Sequence, residues 1–295
     1  MARLSNDRAP PWKRAYLLAY NGGLAIGWLY VLLCLAYRAS IQVEYLEIKW
    51  YAEKMSPLAD HSLTFRLWFT PLPHLYPFVS APVKVFQTLA ALEIVHAATG
   101  LVRSPVGTAA VQVGSRLAMV WLCADVAPIA RRNWGAGVMV TAWALVEVPR
   151  YLLYTMKLAL DRPEARRGLN AGFLRRLYWV RYHAFIVLYP LGILGEIVTL
   201  VYTVSFCRAN PAFRSVGMPN AWNAWFNYGT FAAAVGGLAY PLGAPLMYTH
   251  MCRQRARNAW RWRRRGGDGE DGRAGREAGS EAEMLPLRSP RATAD

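Results

Sequence analysis

The sequence is short of charge. Only 18% of its 295 residues are charged, against about 25% in an ordinary soluble domain, and many of these crowd the end of the chain. The hydrophobic share, 55%, exceeds the usual soluble share of about 45–50%. So much apolar surface with so little charge excludes an ordinary soluble domain and matches a polytopic membrane protein. Cysteine is scarce too: Cys34, Cys123, Cys207 and Cys252 fall in or beside different apolar segments. None has C-x-x-C or other metal spacing, so nothing in them argues for a disulfide framework or a metal site. No internal repeat and no C-terminal di-lysine is visible.

What is present is positive charge and aromatic rings. The formal charge is +16, with 12 Trp and 16 Tyr. The basic residues sit in short runs between apolar segments. This pattern points away from nucleic acid and towards a membrane surface and an anionic substrate. The aromatic residues suit the two interfaces of a bilayer.

A helix that crosses a bilayer needs about 20 mostly apolar residues. Six segments reach that length, near 15–37, 82–102, 108–130, 135–160, 183–206 and 228–251. The first follows a polar, basic arm, 1–14, and is too long for a signal-peptide core, so it reads as an uncleaved span. Residues 38–81, with prolines as in FTPLPHLYPF, read as a loop carrying a short interfacial helix, or over 41–57 as a re-entrant piece. The spans make one domain, 15–252. The tail, 253–295, opens with RQRARNAWRWRRRGG, which suits anionic headgroups. It continues as DGEDGRAGREAGSEAE, a composition expected to be disordered. Only the run Arg263–Arg265 offers a candidate retrieval signal.

Orientation follows from Lys and Arg in the connections. With both termini in the cytoplasm, that side holds 22 of them and the other side nine. The basic loop with Arg162, Arg166, Arg167, Arg175, Arg176 and Arg181 contributes much of the difference. The expected fold is an all-α bundle of six transmembrane helices with both termini cytoplasmic.

Ionisable side chains inside spans cost several kcal/mol, roughly 2.5–3.5 even on mild insertion scales, and should face the bundle interior. They are Glu93, His96, Arg116, Glu147, Arg150 and Glu196. One account is mutual neutralisation. Glu147 and Arg150 are spaced i, i+3, as are Glu93 and His96, and Arg116 is free to meet either acid. Tyr189 and Glu196, in YPLGILGE, resist that account. Seven residues of helix put both on nearly the same side, about 10 Å apart along the axis. Pro190 removes a backbone donor, and Gly192 and Gly195 bare the backbone to a neighbouring helix or a thin ligand. The residues fit a slot with a phenol at one end and a carboxylate at the other. They equally fit a helix-packing glycine pair whose Tyr and Glu are satisfied by neighbours.

A buried carboxylate and a phenol suit acid/base chemistry. If one takes a proton from carbon while the other protonates a hydroxyl on the next carbon, water is eliminated. An apolar slot suits an acyl chain, and a basic loop suits the phosphates of coenzyme A.

The chain resembles the 3-hydroxyacyl-CoA dehydratases of very-long-chain fatty acid elongation, the protein-tyrosine-phosphatase-like family. The likeness runs from about 15 to 257, through YLLAYNGGLAIGW (16–28), LEIVHAATGLVRSP (92–105), QVGSRL (112–117), WALVEVPRYLLY (143–154), VRYHAFIVLYPLGILGE (180–196) and YTHMCRQR (248–255). The family's catalytic Tyr and Glu stand seven apart in Y-P-x-G-x-x-G-E, matched here by Tyr189 and Glu196. The resemblance implies dehydration of long-chain (3R)-3-hydroxyacyl-CoA to trans-2-enoyl-CoA, the third step of elongation. It also implies a multi-pass endoplasmic reticulum protein with no metal or redox cofactor, working beside the condensing enzyme and reductases. Arg150, Glu147, Tyr151, Arg116 and Ser115 are candidates to support the pair or bind substrate. Which of Tyr189 and Glu196 takes the C2 proton stays open. One departure is Pro149, where the family has Ile; it is expected to kink the fourth span.

The family's phosphatase label finds no support in the residues. HAATGLVR carries His96 and Arg103 at the H-C-x5-R spacing, but Ala97 replaces the nucleophilic Cys. Two rival readings are a non-catalytic membrane scaffold for elongation or trafficking partners, and a proton pathway through Glu93, Glu147 and Glu196. Six spans without a repeat are few for a transporter.

Overall fold

The structure, a computed structural model, describes residues 10–54, 72–102, 104–159 and 171–267. The main helices are α1 (Pro11–Lys54), α2 (Leu72–Ala90), α3 (Leu92–Ala98), α4 (Val106–Ala118), α5 (Pro128–Arg131), α6 (Trp134–Ala159), α7 (Ala171–His183), α8 (Phe185–Ala209) and α9 (Tyr228–Gly267). A π-helical turn, Met119–Ala124, extends α4. Among the described residues the strand-like pairing is one isolated bridge, Val216 with Phe226. The chain divides into a unit Met1–Met247, which holds the bundle, and a C-terminal unit Tyr248–Asp295.

Six helical stretches are long and apolar enough to cross a membrane: Pro11–Gln42, His74–Ala98, Val106–Ala124, Trp134–Ala159, Phe185–Ala209 and Tyr228–Arg253. All six expected spans are present, and their ends differ in instructive ways. α1 continues to Lys54, so residues 38–54 extend the first helix where a loop or re-entrant piece was expected. Residues 55–71, the rest of the expected interfacial region, lie outside the described residues. The second span starts about ten residues early, at Leu72, and carries Pro77 and Pro82 inside the helix. The basic stretch before the fifth span is helical from Ala171 to His183. In the tail, α9 runs to Gly267; residues 268–295 lie outside the description, as does Arg103.

α6 is the central element. About 61% of its apolar window is buried, against 12–28% for the other spans. Lipid-facing residues explain the low values elsewhere, since the outside of a bundle faces hydrocarbon. Asn133 starts α6 by accepting the Ala136 amide at 2.9 Å, the N-cap chemistry that a short polar side chain supplies. Met139, Val140 and Trp143 then pack with Trp28 and Val31 of α1, Tyr76 and Val79 of α2, and Val120. Pro149 does not end the helix, which continues to Ala159.

α6 meets α8 almost backbone to backbone. A Cβ on Gly195 would stand 2.5 Å from the Gly135 carbonyl oxygen and 2.6 Å from the Met139 nitrogen. Only glycine permits that approach, a small-residue contact familiar between membrane helices. The neighbour that Gly195 was expected to admit is therefore a helix. Gly192 has more room, with Ala142 Cβ at 3.6 Å from its built Cβ position.

Side-chain contacts mark one end of the bundle. Arg14 Nε donates to the Leu158 carbonyl at 3.1 Å, and the Tyr16 hydroxyl meets His96 Nε2 at 2.8 Å. The start of α1 and the ends of α3 and α6 thus lie together, as alternating spans require. Elsewhere Asp125, at the end of the third span, pairs with Arg131 and with Lys84 at 2.6 Å.

Candidate active site

Glu196 lies near the middle of α8. Its two oxygens are held separately. The Trp143 indole N–H, from α6, donates to Oε1 at 2.9 Å. The Tyr240 hydroxyl, from α9, donates to Oε2 at 2.9 Å. No ion pair to Glu196 occurs among the described residues. A carboxylate offers about four lone-pair sites, so two remain open after these bonds. Tyr189 stands two turns earlier on the same helix, partly exposed.

Four of the ionisable side chains named above, Glu93, Arg116, Glu147 and Arg150, gather next to this pair. Glu147 is 1% exposed, and it is ion-paired to Arg116 of α4. On its other side Arg150 Nε lies 2.8 Å from Glu147 Oε2, one turn along α6, though not aligned as a hydrogen bond. Arg150 also reaches Glu93 of α3, and the Tyr151 hydroxyl donates to the same Glu93 oxygen. The Arg150 guanidinium lies 4.4 Å from the centre of the Tyr151 ring. Two acids and two guanidiniums thus neutralise one another in the interior, as buried charges must. Arg116 also lies 5.8 Å from the centre of the Trp143 ring. The chain of contacts therefore runs from Glu93 through Arg150, Glu147, Arg116 and Trp143 to Glu196 and Tyr240.

This arrangement sorts the residues singled out from sequence. Glu147, Arg150, Tyr151 and Arg116 come together. Glu147 and Arg150 pair as their spacing suggests, and Arg116 chooses Glu147. His96 does not serve Glu93; it is held by Tyr16 and lies edge-on to Tyr20 at 4.8 Å. Ser115 stays outside, exposed and donating to the Gln112 carbonyl at 3.1 Å. Pro149 leaves Arg150 and Tyr151 able to reach Glu93. Both guanidiniums are ion-paired to acids, Arg116 to Glu147 and Arg150 to Glu147 and Glu93. A shallow groove beside Pro149, lined by Leu145, Val146, Val180, Arg181, Ala184 and Phe185, opens between α6 and the α7–α8 junction.

Trp143 and Tyr240 escaped the reading of the sequence. Trp143 was one aromatic among twelve tryptophans. Tyr240 did carry a signal: Tyr240-Pro241-Leu242-Gly243 repeats the Tyr-Pro-Leu-Gly of 189–192, a repeat too short to stand out.

The arrangement can exchange protons. Among the described residues the Glu196 carboxylate has no ion pair, while Glu93 and Glu147 beside it are paired to arginines.

Comparison with known proteins converges on one family. A family profile described as "Protein tyrosine phosphatase-like protein, PTPLA" matches residues 87–260. The Caenorhabditis elegans protein named very-long-chain (3R)-3-hydroxyacyl-CoA dehydratase hpo-8 is 36% identical over 183 residues, covering 62% of this chain and 78% of the relative. The dog very-long-chain (3R)-3-hydroxyacyl-CoA dehydratase 1 is 31% identical over 240 residues, 81% of this chain and 80% of its own. The rice very-long-chain (3R)-3-hydroxyacyl-CoA dehydratase PASTICCINO 2A is 31% identical over 244 residues, 82% and 92%. No solved structure gives a significant match.

Proposed function

Because this chain belongs to the protein tyrosine phosphatase-like family, we propose that it works as its relatives' names state, with Tyr189 and Glu196 as the acid/base pair. It is a hydro-lyase that dehydrates very-long-chain (3R)-3-hydroxyacyl-CoA, the dehydration step of fatty acid elongation. The thioester acidifies C2. Glu196 takes the C2 proton, and the C–H electrons become the second bond between C2 and C3. The C3–O bond breaks, and Tyr189 protonates the departing hydroxyl to give water and trans-2-enoyl-CoA. In the exchanged assignment Glu196 draws the proton from Tyr189, the phenolate takes the C2 proton, and the protonated Glu196 gives its proton to the departing hydroxyl. The reaction is redox-neutral and calls for no cofactor.

One observation carries the assignment to Glu196. Glu93 and Glu147 are consumed by arginines, whereas Glu196 holds only neutral donors and stands two turns from a phenol. The phosphatase name of the family has no counterpart here. Ala97 takes the place of the thiol, and His96 is bonded to Tyr16.

The protein is a multi-pass membrane protein, placed by this reading in the endoplasmic reticulum with both termini in the cytoplasm. The excess of Lys and Arg on that side supports the orientation. Its partners there are the condensing enzyme and reductases that act before and after it.

The test uses purified, detergent-solubilised protein and a long-chain 3-hydroxyacyl-CoA, with trans-2-enoyl-CoA followed by mass spectrometry. Wild type should form product, and Glu196→Gln should be slower by about a hundredfold or more, as for other general acid–base groups. No product from folded wild type across several chain lengths would overturn the reading.

A further inference from the structure

Two tyrosines each open a Tyr-Pro-Leu-Gly tetrapeptide, and Tyr240, the second, bonds the Glu196 carboxylate. Tyr189 shares a helix with Glu196. Tyr240 crosses from α9 to Oε2, while Trp143 crosses from α6 to Oε1, both at 2.9 Å. Trp143 is 4% exposed, its indole packed in the core and overlaid by the Arg116 guanidinium. Each oxygen of Glu196 therefore has its own donor, and the two donors come from different helices.

We propose, building on the dehydratase reading above, that Trp143 and Tyr240 are positioning residues of the elimination: a two-point clamp that fixes which lone pairs of Glu196 face Tyr189 and the substrate. A glutamate reaches its target through three rotatable bonds. A proton acceptor must stand within about 2.6–3.2 Å of the proton it takes, directly or through one water. A misplacement of about 1 Å can cost a hundredfold. In hydrocarbon no bulk water orients the group, so protein donors must. A guanidinium would hold the carboxylate as firmly but would compete for its charge. Two neutral donors orient it and leave its charge for the proton.

The clamp is shared among α6, α8 and α9, so it is complete only when the last span is seated against the fifth. The ionic chain from Glu93 to Arg116 ends on the Trp143 ring and braces one arm of the clamp. Tyr240 is the other arm.

The experiment compares wild type, Tyr240→Phe, Trp143→Phe and the double variant as full chains in detergent. Initial rates are measured over a range of long-chain 3-hydroxyacyl-CoA concentrations, and a thermal melt is recorded for each. Tyr240→Phe removes one oxygen. It should lower kcat by about tenfold or more, the worth of one hydrogen bond to a charged group, with KM within about threefold and an unchanged melt. The double variant should lose more than the product of the single losses, because either donor alone still anchors the carboxylate. A Tyr240→Phe enzyme within about twofold of wild-type kcat would overturn the proposal, as would a double loss equal to the product. If Trp143→Phe folds poorly, Glu196→Asp closes an equivalent cycle. The shorter acid cannot reach the clamp, so adding Tyr240→Phe should cost less than about twofold more; a full additional loss would overturn the clamp. An inactive wild type would instead sink the dehydratase reading itself.

Discussion

The Arg116 guanidinium lies 5.8 Å from the centre of the Trp143 ring while it ion-pairs with Glu147. That contact joins two systems that look separate in sequence. On one side lies a neutral set of paired charges; on the other, the carboxylate that Trp143 holds. Mutations in the charged set should therefore be felt at Glu196.

Arg116→Lys tests this link. Lysine keeps the charge for Glu147 but loses the planar fork and its stacking over the indole. The expected result is a folded protein with kcat reduced about three- to tenfold, a loss of the size expected from one cation–π contact. Arg116→Ala should be worse in both kcat and melting temperature. Equal, wild-type rates in both variants would separate the ion network from the chemistry.

Glu147→Ala should be mainly a stability defect. It removes the buried shared partner of two partly buried guanidiniums, and breaking a buried pair typically costs about 3–5 kcal/mol. A thermal melt in detergent should show a large drop, with activity lost alongside. Arg150→Ala, which leaves Glu147 to Arg116 alone and Glu93 to the Tyr151 hydroxyl alone, should lower the melt in the same direction by less. A normal melt for either would show that these charges find other partners.

Tyr189→Phe should keep the fold and lose about a hundredfold or more in turnover, because it deletes the hydroxyl that serves as the acid. Near-normal turnover in folded protein would remove Tyr189 from the mechanism.

Gly195→Ala and Gly192→Ala should differ. At Gly195 the new methyl would meet the Gly135 oxygen at 2.5 Å, so α6 and α8 must part and Trp143 must leave Glu196. A fall in melting temperature with a loss of activity is expected. At Gly192 the nearest atom, Ala142 Cβ, is 3.6 Å away, an ordinary contact, and the variant should be close to wild type. Equal behaviour of the two would mean that the helices are not in contact at Gly195.

Membrane orientation can be read with an N-glycosylation acceptor. Placed in the 210–227 connection it should be modified in microsomes, and placed after residue 268 it should not. The reverse pattern would invert the topology.

Much of this protein is legible along the chain. A span is a property of about 20 consecutive residues, so all six can be found without knowing what they pack against. Glu147 and Arg150 are one helical turn apart, and local geometry is enough to pair them. The ends of the spans are less legible. α1 continues to Lys54 and α7 forms in a basic stretch because a helix can persist beyond the apolar window that reveals it.

Read along the chain, hydropathy is enough to find six helices long and apolar enough to cross a membrane. The sequence by itself also placed Tyr189 and Glu196 on one side of one helix, and its motifs marked the family. Those follow from hydropathy, helical period and local pattern, which need no partner. Which acid has no arginine ion pair among the described residues is set by how the helices pack. Arg116 chose Glu147 over Glu93 or Glu196, His96 went to Tyr16, and Glu196 received Trp143 and Tyr240. Such choices depend on where helices cross. The close approach of α6 and α8 at Gly135 and Gly195 sets one crossing, and the seating of α9 sets the other. A hydrogen bond that spans 53 residues of chain, as between Trp143 and Glu196, exists only once those crossings are made.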